Sequence, residues 1–363
     1  MLTVLIPTYN RYEELTRLLA YLTSVGRPGR VDVLDSSAHA LPEGPLRRAL
    51  AEEGVVHRRY DPAMPPMEKL ADGLAHVTTP YTVVWNDDDF LVPRTLRLGA
   101  QFLEAHPDYS LAHGRSATFK PGASRGTMEW VAVYPQRAIA QPTASERLLD
   151  HFTRYGAVLN YSVHRTALLR ENVRRCCAHS FGYAWGELAL GGLDVIQGKA
   201  HCLHQLYLLK EIHDGPDAWI RSVRNLDGAR ETTRATDVIE WFTEASFAGK
   251  YAAFRSCLAE ALKDAEGIAQ ERAEAVATQA FWCYALRVLS NKANGGCDAP
   301  RPSLTRRTRE WLRNVPGARS VWRAVGPRLP GRRDTISLSA LLKARSPYHE
   351  DFMPMYRAMT ERR

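Results

Sequence analysis

The stretch Tyr81-Thr-Val-Val-Trp-Asn-Asp-Asp-Asp-Phe90 decides how this chain is read. Tyr81 to Trp85 is short, β-branched and aromatic, and it follows Pro80, which is the pattern of a buried strand. Three carboxylates, Asp87, Asp88 and Asp89, stand at its carboxyl end. Side by side they repel one another and lose hydration when a site closes over them. A hard divalent cation such as Mg2+ or Mn2+ is the usual way to make such a cluster tolerable, and those ions in turn suit a diphosphate. A densely charged surface turn is the other reading of the same residues.

The flanking sequence favours the first reading. Leu2-Thr-Val-Leu-Ile-Pro-Thr-Tyr-Asn-Arg11 reads as a strand running into a polar turn, and Leu15, Leu18, Leu19 and Leu22 then recur at helical spacing. Val31-Asp-Val-Leu-Asp-Ser-Ser37 is a second strand, ending in Asp35. A helix over 44–53, a third strand over 55–60 and a helix over 66–76 lead to the strand before the aspartates. Strands alternating with helices predict a doubly wound, mostly parallel α/β sheet, whose ligands bind at the carboxyl ends of the strands. Thr8, Asp35 and Asp87 to Asp89 all fall at such ends.

Ile6-Pro-Thr-Tyr-Asn-Arg11, Leu34-Asp-Ser-Ser37 and Pro80-Tyr-Thr-Val-Val-Trp-Asn-Asp-Asp-Asp-Phe-Leu-Val-Pro93, in this order and spacing, resemble the amino-terminal half of a GT-A-fold, family 2 glycosyltransferase. The resemblance covers about the first 115 residues well and reaches more loosely to about residue 215. It implies that a metal held by a DxD-type motif carries the diphosphate of a nucleotide sugar, UDP being the commonest carrier. It also implies that an aspartate after the second strand meets the nucleoside. Carried over, Pro7, Thr8, Asn10 and Arg11 line the nucleotide pocket, Asp35 resembles the nucleoside aspartate, and Asp87 faces ribose or metal. Asp89 is the expected main metal ligand, with Asp88 a close competitor because Asn86 can occupy the first acidic position. Asp35 also reads as a turn cap. Lys69 and Arg58 read either as diphosphate or base contacts or as ordinary exposed cations.

The resemblance further implies a catalytic base about a hundred residues after the aspartates. Glu187, in Phe181-Gly-Tyr-Ala-Trp-Gly-Glu-Leu-Ala-Leu190, stands there, and an apolar surround would raise its pKa toward working pH. Tyr183 and Trp185 would offer an acceptor sugar a stacking platform. Asp194, seven residues on and on the same helix face, is the second choice; a helix-terminal glutamate is the structural alternative for Glu187. His213, after the apolar run Leu206 to Ile212, is a third metal ligand by analogy with late histidines of GT-A enzymes. Two neighbouring patterns carry no weight. Gly192-Leu-Asp-Val-Ile-Gln-Gly-Lys199 has one residue too many for a P-loop and Ala200 in place of Ser or Thr, and Asn160-Tyr-Ser162 is a glycosylation sequon only in a secreted chain. A haloacid-dehalogenase-type phosphatase would place its nucleophile after the first strand, where this chain has Pro7-Thr8.

With 363 residues, 45% of them hydrophobic, the chain can bury a large core and more than one subdomain. The expected division is a glycosyltransferase domain over 1–235, with a donor half to 115 and an acceptor half from 116, followed by a helical and basic region over 236–363. Six cysteines without CxxC spacing, a start too short for a signal peptide and no bilayer-length apolar run predict a cytoplasmic protein without a zinc site. Helical stripes through Trp241, Phe254, Phe281 and Trp282 read as core. Ten arginines from Arg301 to Arg333, against Glu310 alone, account for the chain's positive balance of +8. No nucleic-acid motif accompanies them, so the segment reads as a solvated tail or as a dock for an anionic membrane surface, where lipid-linked or other glycan acceptors are assembled. A sugar-nucleotide-binding protein that lost its chemistry is the alternative to an enzyme.

Overall fold

The apolar run that opens the chain forms β1 (Leu2–Thr8), buried on both faces at the middle of a nine-stranded sheet. The computed structural model describes residues 1–122, 126–156, 159–212, 238–293 and 336–360. The expected alternation follows: α1 (Tyr12–Val25), β2 (Arg30–Asp35), α2 (Pro45–Leu50), β3 (Val55–Arg59), α3 (Pro66–Ala75) and β4 (Tyr81–Val84). All four residues of β4 are buried, as its unbroken apolar run requires of a strand covered on both faces. In the parallel register Thr8 lies opposite Asp35 and Asp35 opposite Arg59, so these three residues form a row along one end of the sheet.

The second half comprises β5 (Phe90–Leu91), α4 (Pro93–Ala105), β6 (Tyr109–Pro121), β7 (Met128–Tyr134), α5 (Ala144–Thr153), β8 (Val163–Arg165), α6 (Thr166–Ala178), α7 (Tyr183–Gln197) and β9 (Lys199–Glu211). Strand order is β3-β2-β1-β4-β8-β6-β9-β5, with β7 on β6. The four strands from β3 to β4 are all parallel, whereas β8 runs against both β4 and β6, a pairing that needs no crossover helix. This is an α/β sheet flanked by helices. Local chemistry agrees with it: Thr143-Ala-Ser-Glu146 opens α5 as a reciprocal capping box. At Gly73 of α3, a Cβ would meet a Leu34 methyl at 2.5 Å, so any larger residue there would have to displace the Leu34 side chain that α3 rests on.

One face of the sheet carries α1, α2 and α4. Later in the chain come α8 (Val238–Thr243), α9 (Phe247–Glu266), α10 (Gln270–Ala293), α11 (Leu338–Leu341) and α12 (His349–Thr360). Leu15, Leu18, Leu22 and Phe352 of α1 and α12 share a core with Val4 and Val83 of the sheet. On the other face, α3, α5, α6 and α7 share a single core with α8, α9 and α10. Trp241 stacks on Trp185 of α7 with ring centroids 4.5 Å apart, and Phe281 on the same ring at 5.7 Å. Full burial of such side chains contributes roughly 2–3 kcal/mol each. The five described cysteines are free thiols, and no described helix is long and apolar enough to cross a membrane. The arginine-rich segment lies outside the described residues.

Candidate active site

Beyond Val84 the chain turns tightly, the Asp89 N–H donating to the Asn86 carbonyl at 3.3 Å and the Trp85 indole to the Asp89 carbonyl at 3.0 Å. The turn fans the three aspartates apart. Asp87 accepts from the Thr8 hydroxyl at 2.7 Å and pairs with Arg11 at 3.1 Å, and Asp88 accepts from Arg11 at 2.7 Å. Asp89 points the other way, accepting from the Glu211 N–H at 2.8 Å and facing the Lys210 ammonium at 3.5 Å. The expected main metal ligand is therefore turned toward β9, while Asp87 and Asp88 share one cation. Burial pushes Asp87 and Asp89 up to about 7, against the pull of Arg11 on the first and Lys210 on the second. Burial would lower the Arg11 pKa, but Asp87 and Asp88 outweigh it and hold the guanidinium firmly charged.

Beneath this cluster lies Lys69, and here the reading as an exposed cation is corrected. It is only 4% exposed, because Gly73 lets α3 approach the sheet, and its ammonium donates to the Thr8 carbonyl at 3.0 Å and Ser36 Oγ at 2.7 Å. Burial lowers its pKa to about 8, with Asp87 and Asp35 acting in the opposite direction. Arg58 instead faces Asp32 at 3.7 Å. Pro7 lies opposite Leu34, one residue before the end of the parallel pairing, half-buried. Asn10 takes a positive φ of 56°, and its side-chain carbonyl accepts from the Ala38 N–H at 2.9 Å, tying the loop after β1 to the loop after β2. Asp35 accepts from the Ser37 N–H, Tyr12, His57 and Arg59. Its burial would raise the pKa, but the hydrogen bonds of His57, Ser37 and Arg59 outweigh that and hold it well below the usual carboxylate range.

A second group at the same end went unmarked in the sequence. Lys210 donates to the Tyr161 hydroxyl at 2.6 Å and lies 4.7 Å from the ring centroid, and Asn86 Nδ2 donates to the same hydroxyl at 2.9 Å. Arg17 of α1 reaches the Asp88 carbonyl at 3.0 Å and the Glu211 carboxylate at 2.6 Å. The signal that could have found them is Lys210-Glu211, two charges that directly follow the apolar run Leu206 to Leu209. Burial would lower the Lys210 pKa, but Asp89 and Tyr161 raise it well above its ordinary value.

Glu187 sits one turn into α7, half-buried, where its charge adds to burial in raising the pKa of the Tyr155 hydroxyl. Trp185 is 1% exposed and stacked between Trp241 and Phe281, so the expectation that it offers a sugar platform is corrected: its faces are spent in the core. Asp194 lies deeper on α7, accepting from Asn172 at 2.9 Å and facing His164 at 3.6 Å, and burial raises its pKa. The structure does not bring it to the acid cluster's hydrogen bonds. His213 lies outside the described residues.

Among the described residues no three His, Cys, Asp or Glu side chains form a ready-made cage for a metal. Asp87 and Asp88 nevertheless converge on one cation. Two carboxylates completed by phosphate oxygens and water are the usual holding of Mg2+, so the donor set fits a divalent ion held jointly with a diphosphate.

A scan against protein-family models finds no match, and a search of the curated proteins finds none either. Among solved structures the chain is similar to S. aureus TarS residues 1–349, at 13% identity over 82% of this chain and 92% of that one, with a TM-score of 0.42. The same protein in complex with UDP-GlcNAc matches at 14% identity over 82% and 93%, with a TM-score of 0.41. Glucosyl-3-phosphoglycerate synthase from Mycobacterium tuberculosis, in complex with Mn2+, UDP and phosphoglyceric acid, matches at 14% over 63% and 76%, with a TM-score of 0.38. At such identities and scores the likeness assigns no activity and no residue role to this chain.

Proposed function

We propose that this chain is a metal-dependent, inverting glycosyltransferase of the GT-A family 2 kind. It would move a sugar from a nucleoside-diphosphate sugar, a UDP-sugar first, to a hydroxyl of a glycan, lipid-linked or small-molecule acceptor. The observation that carries the reading is the convergence of Asp87 and Asp88 on a single cation beside Thr8 and Lys69, at the carboxyl ends of parallel strands. The residues before about 115 would hold the donor and those up to about 235 the acceptor, with the later helices buttressing the second half.

Asp87 and Asp88 would hold Mg2+ or Mn2+, which when bound neutralises the departing diphosphate. Arg11, released from the two carboxylates, and Lys69 below them add positive charge on the same side. Glu187 accepts the proton of the acceptor hydroxyl as its oxygen bonds to the anomeric carbon and the bond from that carbon to the diphosphate oxygen breaks. Attack from the face opposite the leaving group inverts the centre. Support for Glu187 over Asp194 is the latter's commitment to Asn172 and His164 in the core. Assembly of surface glycan or polysaccharide at the cytoplasmic face of a membrane, with Arg301 to Arg333 on anionic lipid, would suit such an enzyme.

The test is a thermal-shift panel of UDP, GDP, CDP and dTDP, each with and without Mn2+. One diphosphate should stabilise the chain, and only when metal is present. A panel in which none stabilises it overturns the reading.

A further inference from the structure

Asp35 is the residue expected to meet the nucleoside, yet it is 0% exposed. One of its oxygens accepts from the Ser37 N–H at 2.8 Å. The other is approached by the Tyr12 hydroxyl at 3.2 Å, His57 Nε2 at 2.9 Å and Arg59 Nη1 at 2.7 Å. An ionised carboxylate only accepts, and it has about four lone-pair sites. Three donors crowd one oxygen and a single donor meets the other, with Tyr12 dividing its one proton between Asp35 and the His39 carbonyl at 3.0 Å, and the group is sealed from solvent.

Arg59 lies on top of this arrangement with its side chain 43% exposed. Its Nη1 also donates to Tyr12 Oη at 2.6 Å, and its Nη2 donates to the Ser37 carbonyl at 2.8 Å and the His39 carbonyl at 3.4 Å. All four terminal N–H groups are thus spent in the plane of the guanidinium. A ligand arriving from solvent meets a flat cation whose edge is largely occupied, and so meets chiefly its face. The group stands at the carboxyl ends of β2 and β3, on the side of the crevice away from the acid cluster. That is where the nucleoside end of a nucleotide lies when its phosphates sit at β1 and β4.

We propose that the guanidinium plane of Arg59 is the platform on which the nucleobase rests, and that Asp35 is a positioning residue that holds it flat. This rests on the nucleotide reading above. Guanidinium planes stack on aromatic faces, and bases are commonly held against them. Every base has such a face, so the platform contributes affinity to all nucleoside diphosphates alike and nothing to a diphosphate without a base.

Calorimetric titration of the full chain with UDP, GDP, CDP, dTDP and inorganic pyrophosphate, all with Mn2+, tests this in the wild type, Arg59→Ala and Arg59→Lys. Both variants should lose affinity by roughly ten-fold for every nucleoside diphosphate the wild type binds, with pyrophosphate affinity unchanged. Lysine keeps the charge and lacks the plane, so wild-type affinity in Arg59→Lys overturns the platform. So does nucleotide binding by Arg59→Ala that is equal or tighter, because unsealing Asp35 would then have exposed the true contact. Thermal melts of both variants, at or near the wild-type midpoint, separate loss of binding from loss of fold. A wild type that binds no nucleoside diphosphate would instead remove the glycosyltransferase reading, and the platform with it.

Discussion

The ammonium of Lys69 lies 3.0 Å from the carbonyl oxygen of Thr8, so a residue of α3 holds up the loop that faces Asp87. Its folded pKa of about 8 lies below the ordinary 10.5. Between those values the unfolded chain binds more protons than the folded one, so this group's contribution to stability increases as pH rises through the window. The stability of the wild type relative to Lys69→Met should therefore grow above pH 8, by on the order of 1 kcal/mol per pH unit. Urea melts of the two proteins at stepped pH measure it; a pH-independent difference would place the lysine in solvent.

Arg11 is the internal counter-ion of the acid cluster, and Asp87 and Asp88 are left without it in Arg11→Met. Removing one partner of a largely buried ion pair is costly. The half-open position of Arg11 brings the expected loss in metal-free buffer to about 2 kcal/mol. Mn2+ should restore part of the loss in the variant and add less to the wild type, as differential scanning calorimetry with and without the ion would show.

Glu187→Gln keeps size and hydrogen bonding but cannot take a proton. Turnover should fall by about 10²–10⁴-fold with donor affinity unchanged. Near-normal turnover, or a product with the donor's anomeric configuration, would refute the single displacement.

Trp185→Ala should cost about 3–5 kcal/mol, since it empties a site enclosed by Trp241, Phe254 and Phe281. Denaturant unfolding reads this directly. A surface platform for sugar would lose acceptor affinity and almost no stability.

The alternation of strands and helices up to Val84 was legible because each element repeats its own period, and parallel pairing sets Thr8 beside Asp35 at the carboxyl ends, with Asp87 three residues past the end of β4. The direction of each aspartate was not. Asp87 and Asp89 are two residues apart, yet one meets Thr8 and the other the backbone of Glu211, and a tight turn at Asn86 decides between them. Lys69 misled because nothing in its neighbourhood announces that Gly73 draws α3 down onto Leu34. Tyr161 and Arg17 reach the site through contacts between segments far apart in the chain, and only the Lys210-Glu211 pair leaves a local trace of them.

The indole of Trp185, two positions before Glu187, is clasped by Trp241 and Phe281 from the last third of the chain. The proposed base therefore stands on a helix whose inner wall is furnished by residues that resemble no catalytic motif. A chain shortened to end near Ile212 would bare that wall and weaken the hold on the helix. Selection on the chemistry would then act on the far helices as well, through their packing alone.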